Sequence, residues 1–172
     1  MDPRFIPLLG RLRATRFAEL AGSDARATIR ISDRLLNEAV STFTASATAV
    51  RDISVHPRAG NHIDVQLKLA RPSFLPPVNL TLHIERQPNL PNAPELVLRV
   101  LGAGGILRLA GPAIASSGAL PPGVRLEGDR VLVDVRALAI ARGAAELLEF
   151  VEQVQVETED GALVLLVQAA VR

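Results

Sequence analysis

Two stretches of strict alternation stand near the middle of the chain: HIDVQLKL at residues 62–69 and VNLTLHIE at residues 78–85. Successive side chains of a β-strand point to opposite faces of its sheet, so alternation of apolar and polar residues indicates a strand. Each stretch therefore predicts a strand with one apolar and one polar face. Such two-faced strands are typical of antiparallel sheets with one solvated side.

The same alternation recurs along most of the chain, outward from these two stretches. The pairs Gly128-Asp129 and Asp160-Gly161 are typical of tight turns and predict two hairpins. The other predicted strands are Arg26–Ile31, Val50–His56, Glu95–Leu101, Val124–Glu127, Arg130–Val135, Val154–Glu157 and Leu163–Val171.

Two segments have helical spacing instead. Apolar residues recur on one stripe of Asp33–Ala45, and the expected N-cap is Ser32 or Asp33. A second helix is predicted over Val135–Phe150, with Asp134 as its cap and Gly143 as its weak point. Long antiparallel strands with few helices predict the α+β class and exclude a doubly wound parallel sheet.

The first twenty residues, MDPRFIPLLGRLRATRFAEL, combine apolar side chains with four arginines. We predict a short amphipathic helix within residues 1–22 and a single α+β domain over residues 23–172. The arginines, Arg4, Arg11, Arg13 and Arg16, interrupt the apolar run that an export signal needs, so the expected location is cytoplasmic or peripheral at a membrane. The cell envelope is expected instead if the sequence is truncated. The helix either contacts a membrane surface or packs on its own domain with its arginines in water.

Composition excludes several function classes. The 172 residues carry a formal net charge of +1, and only 3% of them are aromatic. Nucleic-acid binding is not expected, because it needs a basic footprint or stacking aromatics. The chain has no cysteine, which excludes disulfides, thiolate metal sites and cysteine nucleophiles.

No arrangement of residues indicates catalysis. The histidines, His56, His62 and His83, lie on predicted strands, and two of them could hold zinc beside a carboxylate if their strands pair. Solvated strand histidines are the more common case, so we expect no metal. The glycines at 102 and 104 begin a dinucleotide fingerprint that Leu107 breaks, so we expect no cofactor. No nucleophile, base and orienting group occur together, and we expect a protein that is not an enzyme.

Aliphatic side chains dominate one face of the predicted strands and the stripe of the first helix. Interiors close-pack by default, so a filled core is the simplest outcome. If the sheet curls strongly around a helix, the same face leaves a long groove that suits acyl chains.

Three segments together resemble a known family. They are ISDRLLNEAVSTFTA (31–45), a strand end that leads into a helix; NHIDVQLKLARPSFLPPVNLTLHIER (61–86), two strands joined through prolines; and residues 120–171, a hairpin, a helix and a final hairpin. This order is similar to that of small bacterial lipid-binding domains of the LmeA-like type, in the tubular lipid-binding superfamily.

The resemblance implies a strongly curved antiparallel sheet wrapped around a helix, with a groove that binds phospholipid or fatty acid without catalysis. The groove residues that it implies are Leu35, Leu36, Val40 and Phe43 from the helix, and Ile63, Val65, Leu67, Leu69, Leu80, Leu82 and Ile84 from the sheet. The alternative that the residues leave open is a structural or protein-interaction module with a filled aliphatic core.

Overall fold

The computed structural model describes residues 18–44, 50–70, 77–102 and 120–172. Over these residues the protein is α+β and mostly strands, and its antiparallel sheet curls strongly into a half-barrel. The structure confirms the predicted class and the curved antiparallel sheet.

The described elements follow the predicted order. A 3-10 turn at Ala18–Leu20 precedes them. The strands are β1 (Ser23–Ser32), β2 (Val50–Arg58), β3 (His62–Leu69), β4 (Val78–Arg86), β5 (Glu95–Leu101), β6 (Val124–Glu127), β7 (Arg130–Asp134), β8 (Val151–Glu159) and β9 (Ala162–Val171). The helices are α1 (Asp33–Thr44), α2 (Val135–Ala141) and α3 (Ala145–Leu148).

The strands form two antiparallel sheets. Three strands lie in the order β1-β9-β8, and six lie in the order β2-β3-β4-β5-β7-β6. Both predicted hairpins are present: Gly128 joins β6 to β7 with a φ of +62°, and Gly161 joins β8 to β9 with a φ of +73°. Glycine occupies this left-handed region without the steric cost that a Cβ adds.

The register confirms the predicted phase of the two central strands. Ile63 pairs with Leu82 on one face, and His62 pairs with His83 on the other. The apolar face carries the main core, which joins β3, β4 and β5 to β8 of the other sheet. Its buried members are Ile63, Leu82, Ile84, Leu96, Leu98, Val100 and Val156.

Helix α1 begins as the sequence predicts. The hydroxyl of Ser32 accepts a hydrogen bond from the backbone N–H of Leu35 at 3.3 Å, which satisfies one of the unpaired donors of the first turn. The helix packs mainly against β2 and less extensively against β1. Within the described residues, neither buried cluster includes a side chain of α1, so a sheet wrapped around this helix stays a prediction.

The second predicted helix is shorter than expected. A single helix over Val135–Phe150 is wrong, because α2 ends at Ala141 and a separate turn of helix begins at Ala145. Gly143 between them has a φ of +70°, a left-handed conformation that ends a helix. The predicted cap is confirmed: Asp134 Oδ1 accepts a hydrogen bond from Ala137 N–H at 2.9 Å.

The two sheets are joined at the tip of the β8–β9 hairpin. The N–H of Gly161 donates to the carbonyl of Pro57 at 2.9 Å, and the hydroxyl of Thr158 donates to the carbonyl of Arg58 at 2.5 Å. Pro57 is fully buried. A proline fits an edge strand because its missing N–H faces outward, where no neighbouring strand needs a donor.

The structure bears only in part on the predictions for the N-terminal segment and for membrane spans. The predicted amphipathic helix falls almost entirely on residues 1–17, outside the described part of the chain, as do Arg4, Arg11, Arg13 and Arg16. In the described ranges, no helix is long and apolar enough to span a bilayer.

Candidate functional site

The candidate site is a row of three aliphatic side chains on the apolar face of the six-stranded sheet. Val55 of β2 pairs with Val65 of β3, and Val65 pairs with Leu80 of β4. Directly paired residues of antiparallel strands project from the same face, so the three side chains are neighbours. All three are only half-buried. We call them the central row.

A buried row flanks the central row on one side, and on the other side the row of Ile53, Leu67 and Val78 is buried only at Leu67. On one side Pro57, Ile63 and Leu82 are paired across the same strands, and all three are buried. On the other side Leu67 lies beside Val50 in a second, smaller buried cluster. The apolar face is therefore most fully buried along one row, and the central row packs against that main core while its own side chains stay half-buried.

Leu126 shows which face is the inside of the curl. It belongs to β6, at the far edge of the six-stranded sheet from β2. Its side chain nevertheless packs against the smaller cluster of Val50 and Leu67, as well as against the main core. The sheet must bend toward its apolar side for this contact to form. The central row therefore lies on the concave face.

The position of α1 beside the row follows from one polar side chain. Asn37 Oδ1 accepts a hydrogen bond from Val55 N–H at 2.7 Å, and Asn37 Nδ2 donates to the Val55 carbonyl at 2.8 Å. Val55 lies in an edge strand, whose outward backbone groups would otherwise lack partners. The carboxamide thus takes the place of a neighbouring strand and attaches the helix to the edge of the sheet.

The helix residues that the resemblance implies fall into three groups. Leu36 and Val40 are half-buried, whereas Leu35 is 54% exposed. The side chain of Phe43 lies outside the described part of the structure. The role of these residues in a groove stays a prediction.

The sheet residues that the resemblance implies divide in the same way. Val65 and Leu80 belong to the central row, and the side chain of Leu69 lies outside the described part. The other four are between 6% and 8% exposed and belong to the two buried clusters: Ile63, Leu67, Leu82 and Ile84. These four occupy filled core.

A hollow of about 500 Å³ lies against β2, β3, β4 and the end of β5. Its lining is mixed. Polar residues are joined there by Leu101 and by two residues of the central row; the lining residues are His56, Asp64, Val65, Gln66, Asn79, Leu80, Thr81, Leu101 and Gly102. The Thr81 hydroxyl donates to Asp64 Oδ1 at 3.0 Å, which already satisfies part of this surface. The hollow therefore presents both hydrogen-bonding groups and aliphatic surface.

A basic row crosses the polar face near one end of the strands. Each arginine in it has a carboxylate partner: Asp64 at 3.1 Å, Asp129 at 3.4 Å and Glu85 at 2.8 Å. An external anion would have to compete with these ion pairs. The row consists of Arg58, His62, His83, Arg99 and Arg130, paired in that order across five strands.

The two central histidines of that row are side by side, as their strand phase predicts. Their ring centroids are 4.9 Å apart and the rings are tilted by 56°. Among the side chains that the structure describes, no three of the metal-binding types converge on one point. The absence of a metal, a cofactor and catalysis stays a prediction for the whole chain.

Sequence reasoning missed the structural role of two carboxamides. Besides Asn37, Gln87 bonds to both backbone groups of Val156 in β8, with both distances 2.8 Å. The signal in the sequence is weak: Asn37 is one polar residue within an apolar helical stripe, and Gln87 follows a strand end. Only the tertiary structure shows what each carboxamide binds, because the partner of Asn37 is 18 residues away along the chain and the partner of Gln87 is 69 residues away.

Comparison with protein-family models, curated proteins and solved structures finds no match for this chain. Its function is therefore argued from its own residues.

Proposed function

We propose that the concave apolar face binds the acyl chain of a fatty acid or phospholipid, without catalysis. The observation that carries the proposal is the central row of Val55, Val65 and Leu80, half-buried between two buried clusters. A uniformly filled core would bury the middle of the face at least as well as its ends, since interiors pack densely. The part of this aliphatic row that is still exposed is surface that an acyl chain would cover favourably.

The chemistry of the row supports an acyl chain over a polar ligand. The side chains are aliphatic, and the polar partners of the same strands project from the opposite face. A ligand in contact with this row gains apolar contact area and no hydrogen bond from its side chains. Leu36 and Val40 of α1 are half-buried at the β2 side and are the proposed wall of the groove. A sheet that wraps around this helix is part of the same proposal.

A matched pair of substitutions tests the proposal. The chain has no tryptophan, so a single one both fills space and reports its own surroundings. Leu80→Trp fills the concave face, whereas Asn79→Trp adds the same ring to the polar face one residue away. After equilibration with palmitate, native mass spectrometry should find the wild type and Asn79→Trp loaded stoichiometrically and Leu80→Trp at less than a tenth of that.

The fluorescence of the two variants checks where each ring lies. We expect Leu80→Trp to emit at shorter wavelength than Asn79→Trp, because its ring is shielded from water. Phosphatidylglycerol vesicles in place of palmitate distinguish a phospholipid from a free fatty acid as the source of the chain. A folded wild type that takes up neither, or equal loading of both variants, would refute the proposal and favour the interaction module with a filled core.

A further inference from the structure

We propose that β1 pairs with β1 of a second copy of this chain, which joins the two three-stranded sheets into one continuous sheet. The proposal does not depend on lipid binding, because it concerns the free edge of the three-stranded sheet and none of the central-row residues. It rests on which edges of the two sheets are covered by hydrogen-bonding partners, on the charge pattern of β1 and on the direction of the backbone groups of β1.

The sheet edges are covered unequally. The edge of β2 is bonded by Asn37 and by Gly161, and the edge of β8 is bonded by Gln87. β6 has only four residues. β1 has ten residues, nine of them exposed, and no strand in the described ranges pairs with its outer edge. A long uncovered edge is a template for another strand.

The backbone of β1 is in the correct phase for such pairing. The N–H of Asp33 donates to the carbonyl of Gly161 at 2.9 Å, in register with the β1–β9 ladder. Since backbone groups alternate in direction along a strand, the odd-numbered residues of β1 face β9 and the even-numbered ones face outward. Asp24, Arg26, Thr28 and Arg30 therefore present their N–H and carbonyl groups to the free edge.

The charges of β1 favour one antiparallel register among those that pair most of the strand. With Ala27 on a two-fold axis, Asp24 lies opposite Arg30 of the second copy, and Arg26 lies opposite Thr28. Both ends of the interface then carry an opposite-charge pair, and all paired residues match in face. A slip of two residues in one direction sets Arg26 opposite Arg30, and in the other direction it sets Arg26 opposite itself. Like charges directly opposite are unfavourable.

The chosen register also continues the charge network of each sheet. Arg30 is already in an ion pair with Glu159, and Arg172, which bonds to Glu152, is electrostatically coupled to Asp24. In the dimer, Asp24 of one copy would lie beside Arg30 of the other. Acidic and basic side chains would then alternate across the joined sheet. On the opposite face, Ile29 is 47% exposed and would gain contact with Ala25 of the second copy.

Cysteine substitution tests the register directly, because the chain has no cysteine of its own. Ala27 on the axis forms a non-hydrogen-bonded pair with itself, with Cα atoms about 4.5 Å apart. That separation is within the roughly 4.4–6.8 Å span of a disulfide. Ala27→Cys should therefore give mostly covalent dimer on mild oxidation. Ile29→Cys should stay mostly reduced, since two copies of residue 29 are separated by about 13 Å along the strand.

A second pair of variants tests the edge and the charges. Thr28→Pro removes an outward N–H and should abolish self-association in sedimentation velocity while melting close to the wild type, as Pro57 is tolerated at the edge of β2. Asp24→Arg should weaken the dimer at least tenfold, and Asp24→Arg with Arg30→Asp should restore it.

The outcomes separate the possibilities. Concentration-dependent dimers that Thr28→Pro abolishes and Ala27→Cys traps support the proposal. A wild type that stays monomeric up to its solubility limit overturns it. Dimers that persist in Thr28→Pro, or that cross-link equally through Ile29→Cys, also overturn it, because they would use another surface or register. If Thr28→Pro does not fold, the cysteine and charge variants decide alone.

Discussion

The side-chain amide of Asn37 forms both outward backbone hydrogen bonds of Val55, with distances of 2.7 and 2.8 Å. A carboxamide carries N–H donors and an acceptor oxygen in one plane, so it can stand in for one residue of a neighbouring strand, and the second N–H of Asn37 is free to bond the Asp33 carbonyl at 2.7 Å. Gln87 does the same for Val156 at the edge of the other sheet. Both edges are thereby covered by one side chain each.

Replacement of Asn37 by leucine should destabilise the protein by about 1–3 kcal/mol, because it leaves the half-buried N–H and carbonyl of Val55 without partners. The matched control is Asn79→Leu. In the described residues the side chain of Asn79 accepts one hydrogen bond, from Gln66 on the exposed polar face, so its loss should cost about 0.5 kcal/mol or less. Denaturant unfolding measures both, and hydrogen exchange of the Val55 amide should accelerate in Asn37→Leu alone. Equal costs would mean that α1 is not attached through this residue.

The phase of β3 predicts a second contrast. Leu67 is 8% exposed and packs beside Val50, so Leu67→Asp places a charge in an apolar cluster and should cost at least about 3 kcal/mol. Lys68→Asp, on the opposite face, removes an exposed ion pair with Asp52 at 2.9 Å and should cost about 1 kcal/mol or less. Thermal melts of the two variants give the comparison. Similar shifts in Tm would show that the strand faces are assigned the wrong way round.

Two glycines should respond differently to alanine. Gly128 has a φ of +62° with nothing within 4 Å of an added Cβ, so Gly128→Ala adds only backbone strain of about 1–2 kcal/mol. Gly123 has a φ of +83°, and its Cβ would lie 2.8 Å from the Cβ of Ala137 and 3.0 Å from the carbonyl oxygen of Asp134. Gly123→Ala should cost about 1–3 kcal/mol more, since the turn packs against α2. Urea unfolding of the two variants that gave the same value would contradict this contact.

Glu85 should make stability depend on pH in the acid range. The hydrogen bond from Arg130 lowers the pKa of Glu85 below its usual 4.5, so the folded state binds its proton more weakly than the unfolded chain does. The stabilisation from this pair is therefore present above pH 4.5 and is lost as pH falls through the lowered pKa of the folded state. NMR titration should show the pKa of Glu85 rising toward its ordinary value in Arg130→Gln. Arg99→Gln, which removes a weaker coulombic influence, should raise it less.

A feature of this protein could be predicted from the sequence when the residues that cause it lie close together in the chain. The strands and α1 were predictable because burial on one face leaves a periodic trace in neighbouring residues, such as the alternation from His62 to Leu69. The cap at Asp134 and the glycine turns were predictable because both act within a few residues. The single helix from Val135 to Phe150 failed at Gly143, whose left-handed φ outweighed the apolar spacing on either side.

The sequence by itself therefore determined the α+β class, the order of elements and which face of each strand is apolar. Only the tertiary structure decided which apolar residues are core, such as Ile63, and which form the half-buried central row, such as Val65. Alternation assigns every other residue to one face and cannot distinguish among them. The difference arises from the curl of the sheet and from β8, which buries one part of the face more completely than another. These contacts join residues far apart in the chain.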